Sequence, residues 1–174
     1  TLHPKSNVYR TLTFMATLAA ASAAQSKLQF STYVGNTGTE QIHALQRLAD
    51  GTLLVAGRTT TRLPGTAGCM FPRPGAAQPA YGGGPSDGFV ALLDPNAAPR
   101  PRVIWMSFVG GNGEDLLNSI AIDPTSGDVL VAGPTSSTAG SLSGQPKTFG
   151  NRGAGDILVV RLRADGSAFR DLVL

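Results

Sequence analysis

One cysteine, two histidines and one tryptophan stand among 174 residues, and charged side chains make up only 14% of the chain. A lone thiol, Cys69, cannot close an internal disulfide, so no covalent staple holds the fold. With His3 and His43 the only histidines, neither a metal-ligand trio nor a Ser-His-Asp arrangement can be assembled, and no cofactor is expected. Eleven of the fourteen cations are arginines, and Arg58, Arg62, Arg73, Arg100 and Arg102 are scattered through loop-like sequence. No basic run interleaves with aromatics, which leaves a nucleic-acid groove without support. The formal net charge of +3 drops to +1 when Lys5 and Arg10, which belong to a leader, are set aside.

Long hydrophobic runs are also scarce. The one candidate is Thr11-Leu-Thr-Phe-Met-Ala-Thr-Leu-Ala-Ala-Ala-Ser-Ala-Ala24, preceded by Lys5 and Arg10. A positive segment, a short apolar stretch and the small-x-small pattern Ala21-Ser-Ala23 match an export signal, and residues 1–24 are read as one. An N-terminal anchor helix or an ordinary helix start are the competing readings. The run is short of the roughly 20 apolar residues that a membrane span needs. No second span follows, so the mature chain, residues 25–174, is expected to be secreted, periplasmic or at the cell surface. Because the sequence does not begin with methionine and stops at Leu174 inside an apolar run, it is read as a piece of a longer protein.

What is abundant is glycine, 22 residues, and proline, 12, placed between short apolar runs. That is the composition of an all-β protein with frequent turns. The runs also repeat. Tyr33-Val-Gly-Asn-Thr-Gly-Thr-Glu40 returns as Phe108-Val-Gly-Gly-Asn-Gly-Glu-Asp115, and Asp50-Gly-Thr-Leu-Leu-Val-Ala-Gly57 as Ser126-Gly-Asp-Val-Leu-Val-Ala-Gly133. Asp87-Gly-Phe-Val-Ala-Leu-Leu93 returns as Asp156-Ile-Leu-Val-Val-Arg-Leu162. The offsets are 75, 76 and 69 in a constant order, which marks an internal duplication and therefore a repeat architecture.

Each copy holds four extended segments: residues 42–48, 52–56, 89–93 and 103–109, then 117–123, 129–132, 157–162 and 169–174. Asp50-Gly51 and Ser126-Gly127 are hairpin signals, since glycine accepts the positive φ of tight turns. Four strands per unit in tandem is the plan of a β-propeller blade. The expected architecture is all-β: a partial propeller with two four-stranded antiparallel blades, 42–109 and 117–174, and an orphan outer strand at 28–34. Long Gly-, Pro-, Ser- and Thr-rich loops, Arg58 to Ser86 and Pro134 to Gly155, fall at the same place in each blade and are expected on one face.

Trp105 to Asp115, Ile120 to Gly133 and Phe149 to Leu162 together resemble the bacterial seven-bladed β-propeller repeat family. The resemblance covers Phe30 to Leu174, with weaker agreement in the first copy, where Asn36, Arg47-Leu48 and Leu92 depart from the pattern. It implies large exported proteins of mostly unassigned activity. It also implies that the Ile120 strand is innermost, that the Trp105 strand is outermost, and that further blades of the same polypeptide are missing.

Candidate binding residues are Glu114, Asp115 and Asp123. Gly110-Gly-Asn-Gly-Glu-Asp115 offers an anion nest or calcium loop, set against a plain turn whose acids cap backbone amides; the EF-hand spacing is absent. Asp123-Pro-Thr-Ser-Gly-Asp128 puts two carboxylates around a turn that an Asx-turn explains without metal. Asp87 and Asp156 recur before the third strand and are expected to serve the blade. Gly150-Asn-Arg-Gly-Ala-Gly155 lacks the Gly-Lys-[Ser/Thr] of a phosphate loop. Tyr33, Trp105 and Phe108 are expected to pack between sheets. The leading functional expectation is a non-enzymatic binding or surface-interaction scaffold for a protein or glycan. The alternatives are an extracellular hydrolase or lyase using inner-strand carboxylates, and a structural spacer of a large adhesin.

Overall fold

The computed structural model describes residues 31–62, 75–98, 102–138, 141 and 155–170. The leader expected at 1–24, Cys69, the Phe149-Gly150 pair and residues 171–174 lie outside them. The described residues form eight strands: β1 (Glu40–Arg47), β2 (Leu53–Thr59), β3 (Asp87–Asp94), β4 (Arg102–Val109), β5 (Ser119–Ile122), β6 (Val129–Thr135), β7 (Asp156–Leu162) and β8 (Phe169–Arg170). They form two separate four-stranded antiparallel sheets, β1-β2-β3-β4 and β5-β6-β7-β8, each a simple meander, and the sheets do not close on one another. The described residues contain no helix.

The meander follows from turns legible in the chain. Gly51 (φ 88°) and Gly127 (φ 74°) occupy the left-handed region, where a Cβ is disfavoured, and let the first two strands of each sheet reverse tightly. Asp50 and Asp123 set up these turns by accepting the amides of Thr52 (2.9 Å) and Thr125 (2.8 Å). The duplication extends to register. Leu45 faces Val55 as Ile120 faces Val131, and Leu93 pairs with Leu53 as Leu162 pairs with Val129.

The first strand of each unit bends sharply at its start. In β1 the register slips between Ile42 and Ala44, opposite Gly57. There a Cβ on Gly57 would lie 1.8 Å from the Gln41 carbonyl oxygen; one on Gly133 would lie 1.8 Å from that of Leu116. Only glycine admits this backbone approach. The bend brings Leu117 into the space between the sheets, where it is 0% exposed and its amide donates to the Gly57 carbonyl (3.3 Å).

The core between the sheets joins Leu54, Ala56 and Val90 of the first to Val129, Val131, Leu158, Val160 and Leu162 of the second, with Val109 and Leu117. A second cluster, Val55, Phe89, Ala91, Leu93, Met106 and Phe108, lies on the opposite face of the first sheet, with Val34, Leu53, Tyr81 and Val103 packed against it. β2 and β3 therefore read as nearly continuous buried runs, with apolar side chains on both faces.

Two expectations are corrected here. The strands that open the units begin at Glu40 and Ser119, not at 42 and 117, because the bend shifts the pairing. Of the orphan strand at 28–34, residues 31–34 are described; no sheet edge takes them up, and Tyr33 is 95% exposed instead of packed between sheets. Phe108 is fully buried, and Trp105 packs on the inter-sheet core as expected.

Candidate functional site

The duplicated Gly-x-x-Gly-x-acid segments build the same device in each unit. The carboxylate that precedes or opens the first strand reaches across to the hydroxyls at the end of the second. Glu40 Oε1 accepts from Thr59 Oγ1 (2.9 Å) and Thr61 Oγ1 (2.6 Å). Asp115 accepts from Thr135 Oγ1 and from Ser137 Oγ (2.7 Å). The loop amides complete the match: Asn36 N donates to Glu40 and Gly111 N to Asp115. Gly38 N donates to Thr61 Oγ1 and Gly113 N to Ser137 Oγ, both at 2.9 Å. Thr39 N donates to Thr60 Oγ1 and Glu114 N to Ser136 Oγ.

Strand order places the β2–β3, β4–β5 and β6–β7 connections at one end of the sheets, and there they stack in tiers. A Cβ on Gly82 would meet the Gly110 carbonyl oxygen at 2.7 Å, one on Gly84 that of Gly113 at 2.1 Å, and one on Gly113 the Ser137 amide at 2.4 Å. Gln78, 3% exposed, ties the described end of the β2–β3 loop to the first sheet. Its side-chain amide donates to the Gly110 carbonyl (3.1 Å) and accepts from the Gly110 amide (3.2 Å). The rim carries Arg62, whose guanidinium lies 5.7 Å from the Tyr81 ring centroid and donates to the Gly84 carbonyl (3.0 Å).

Beneath the tiers lies Asp87, fully buried. Its Oδ2 accepts from Gly82 N (2.6 Å), while Oδ1 and the neighbouring Ser86 Oγ have no hydrogen-bond partner among the described residues. Gly110 separates it from Asp115: a Cβ there would lie 2.8 Å from an oxygen of each carboxylate. Burial pushes the Asp87 carboxyl up to about 7, the Gly82 amide opposing and the Asp115 charge adding to the rise.

The three acids singled out in the sequence are not brought together. Asp115 is 0% exposed and held by the Gly111 amide of its own loop and by the Thr135 and Ser137 hydroxyls at the end of β6. Glu114 is exposed and caps no amide among the described residues; it pairs with Arg58 Nη1 (2.7 Å), whose Nε donates to Gln41 (2.7 Å), linking the two sheets. Asp123 lies at the far end of β5, in its turn. The Thr125 and Ser126 amides hold its carboxyl below the usual range, with Arg161 (3.1 Å) adding to this. Arg161 also binds Asp128 (2.8 Å), which Arg170 approaches at 3.4 Å. Among the described residues no group of three or more His, Cys, Asp or Glu side chains converges as a metal site would require.

The hydroxyl partners escaped the sequence reading although a signal existed. Thr59-Thr-Thr61 and Thr135-Ser-Ser137 follow the duplicated Ala-Gly at the same offset as the strands. Gln78 had none, being a lone polar residue in a Gly- and Pro-rich loop. No protein-family model matches this chain, and a search of characterised proteins found no match.

Proposed function

We propose that the chain is part of an exported β-propeller of the bacterial seven-bladed repeat type, acting as a non-enzymatic scaffold that binds a protein or glycan on its tiered loop end. The observation that carries the architectural part is the central pair of strands of the first sheet, β2 and β3, apolar and buried on both faces. A two-sheet sandwich alternates core-facing apolar with outward polar residues; a sheet covered on both sides belongs in the middle of a stack. The equal strand order and the duplicated acid-hydroxyl device support a tandem array of like units. Export rests on the leader-like residues 1–24.

The binding part rests on how the acids are used. Glu40, Asp115 and Asp123 each neutralise donors of their own unit, so the chemically capable groups hold loops in place. The rim of that loop end presents Arg62, Asn112, Glu114, Ser136 and Thr138 to solvent on a backbone fixed by tier contacts. Glycan and peptide arrays probed with the purified chain test this. Binding that Arg62→Glu abolishes while the melting temperature is unchanged is the expected result. Turnover of an arrayed glycan or peptide, or binding indifferent to the rim substitution, removes the reading.

A further inference from the structure

Asn112 is the one asparagine of the sequence that precedes a glycine. With no Cβ on the following residue, the Gly113 nitrogen meets little steric resistance on its way to the Asn112 side-chain carbonyl carbon, so the pair is chemically labile. In the reaction open to it, the Gly113 amide yields its proton to solvent base and its nitrogen bonds to Asn112 Cγ. The Cγ–Nδ2 bond breaks, ammonia leaves with a proton taken from water, and a cyclic imide remains. Water then opens the imide at either carbonyl. One opening gives aspartate; the other reroutes the main chain through the side chain and gives isoaspartate.

The fold holds both reacting groups away from this course. Gly113 N donates to Ser137 Oγ (2.9 Å), and Asn112 Oδ1 accepts from Thr138 N (3.0 Å) and Thr138 Oγ1 (3.2 Å). The Asn112 amide donates to Ser141 Oγ (3.1 Å), which donates in turn to the Thr138 carbonyl (2.7 Å). To reach Cγ the Gly113 peptide has to rotate, yet it is wedged between two tiers. A Cβ on Gly84 would lie 2.7 Å from the Asn112 carbonyl oxygen, and one on Gly113 would lie 2.6 Å from that of Ser136. Asn112 is exposed, so water reaches it; geometry, not burial, is the brake. The first unit lacks the pair. Thr37 stands where Asn112 does, while Gly38 N makes the equivalent bond to Thr61 Oγ1 (2.9 Å). The bond therefore serves both units, and the reactive side chain belongs to the second alone.

We propose that Asn112–Gly113 is a latent self-modification site: the closed tier keeps the asparagine intact, local opening lets it deamidate, and the isoaspartate product stops the tier from closing again. The extra main-chain carbon of isoaspartate falls where Gly113 fits only for want of a Cβ. The aspartate product keeps the main chain and an acceptor oxygen for Thr138, so it leaves the tier in place. The pair lies on the rim assigned above to binding, but the inference rests on no ligand and on no neighbouring unit.

Peptide mapping by mass spectrometry, with the purified chain held at mildly alkaline pH, follows the conversion of Asn112. In the folded chain it is expected to run about a hundredfold slower than in the urea-unfolded chain, as the opening of three hydrogen bonds implies. Thr138→Val, at an exposed position, removes one bond to Oδ1. It is expected to speed the folded-state reaction about fivefold with the melting temperature unchanged. Ser137→Ala frees the Gly113 amide and is expected to speed it further, its melting being read alongside. The separated isoaspartate form is expected to melt below Asn112→Asp, which carries the other product. Folded and unfolded chains that convert alike overturn the proposal, as does a Thr138→Val rate equal to the parent's. An isoaspartate form that melts with Asn112→Asp overturns its second half. Array binding enters none of these readouts, so they stand apart from the ligand reading.

Discussion

Replacing Gly133 by alanine strikes the point on which the geometry of the second unit turns. The added Cβ would lie 1.8 Å from the Leu116 carbonyl oxygen, 2.8 Å from its carbon and 3.0 Å from the Leu117 Cα. A comfortable carbon–oxygen approach is about 3.3 Å, so the Leu116–Leu117 backbone has to retreat by about 1.5 Å. No side-chain rotation relieves the clash, since every contact is main chain. The retreating segment carries the bonds from Leu116 N to the Pro134 carbonyl (3.1 Å) and from Leu117 N to the Gly57 carbonyl (3.3 Å). It also carries Leu117 itself, wholly buried between the sheets. Each hydrogen bond contributes about 1 kcal/mol, and part of the 1.5–3 kcal/mol for a buried leucine goes with them. The expected loss is about 3–5 kcal/mol, a large share of a domain's typical ~5–15 kcal/mol.

Urea denaturation followed by circular dichroism reads this directly. Gly57→Ala, whose Cβ meets the Gln41 carbonyl oxygen at the same 1.8 Å, is expected to cost a similar amount. Gly155→Ala is the control: nothing lies within 4 Å of its Cβ and its φ is not left-handed, so its midpoint is expected to stay within about 0.5 kcal/mol of the parent. A Gly133→Ala protein as stable as the Gly155→Ala control would refute the close approach, and with it the bend that places Leu117.

Asp87 sets a pH dependence. Its carboxyl is raised from 3.8 to about 7, so the folded state holds the proton more tightly than the unfolded one. Its contribution is whole below about pH 4 and is lost as pH rises to about 7, at up to roughly 1.4 kcal/mol per pH unit. Asp87→Asn keeps the shape and removes the proton, so its stability measured against pH is expected to lack that decline; an unaltered profile counts against a buried, titrating Asp87. Asp115→Asn turns an amide group toward hydroxyl and amide donors. It is expected to cost about 1–3 kcal/mol in chemical denaturation, with Asp115→Ala at least as costly; a neutral result would break the acid-hydroxyl device. The Arg58–Glu114 pair is part-exposed on both sides, at 34% and 54%, so Glu114→Gln is expected to lose under about 1 kcal/mol and to lose less in high salt.

The strand plan was legible because its signals are local. Runs such as Val129 to Ala132 carry β-branched residues, Asp50-Gly51 and Ser126-Gly127 carry their turns, and the duplication fixed the order in which they pair. What escaped depends on contacts distant in sequence. Arg58 meets Glu114 across 56 residues, and Gln78 meets Gly110 across 32. Asp87 was read as serving its unit, but nothing local announced a carboxyl shut away beside a second one, because its burial is created by loops folding over it from two connections.

The acids also show how duplication sorts structural from individual roles. Glu40 and Asp115 recur together with their hydroxyl partners, so the chain repeats a whole bonded set, and recurrence of donor and acceptor at one offset marks a group spent on the fold. Asp123 has no such counterpart: Leu48 stands in its place, the kind of asymmetry that invites a functional reading. Yet its partner changes in step. Arg161, which binds Asp123 and Asp128, corresponds to Leu92 in the first unit, so two apolar residues there are answered by an ion-paired set here. The departure from symmetry is compensated within one sheet, and a lone carboxylate acquires meaning only after its equivalent's partner has been checked as well. By that measure the uncompensated departures among the described residues are the exposed apolar positions Ile42, Leu45 and Val159, whose counterparts Leu117, Ile120 and Val90 are covered or half-covered, whereas Ile157 replaces Gly88, on which Leu117 closes.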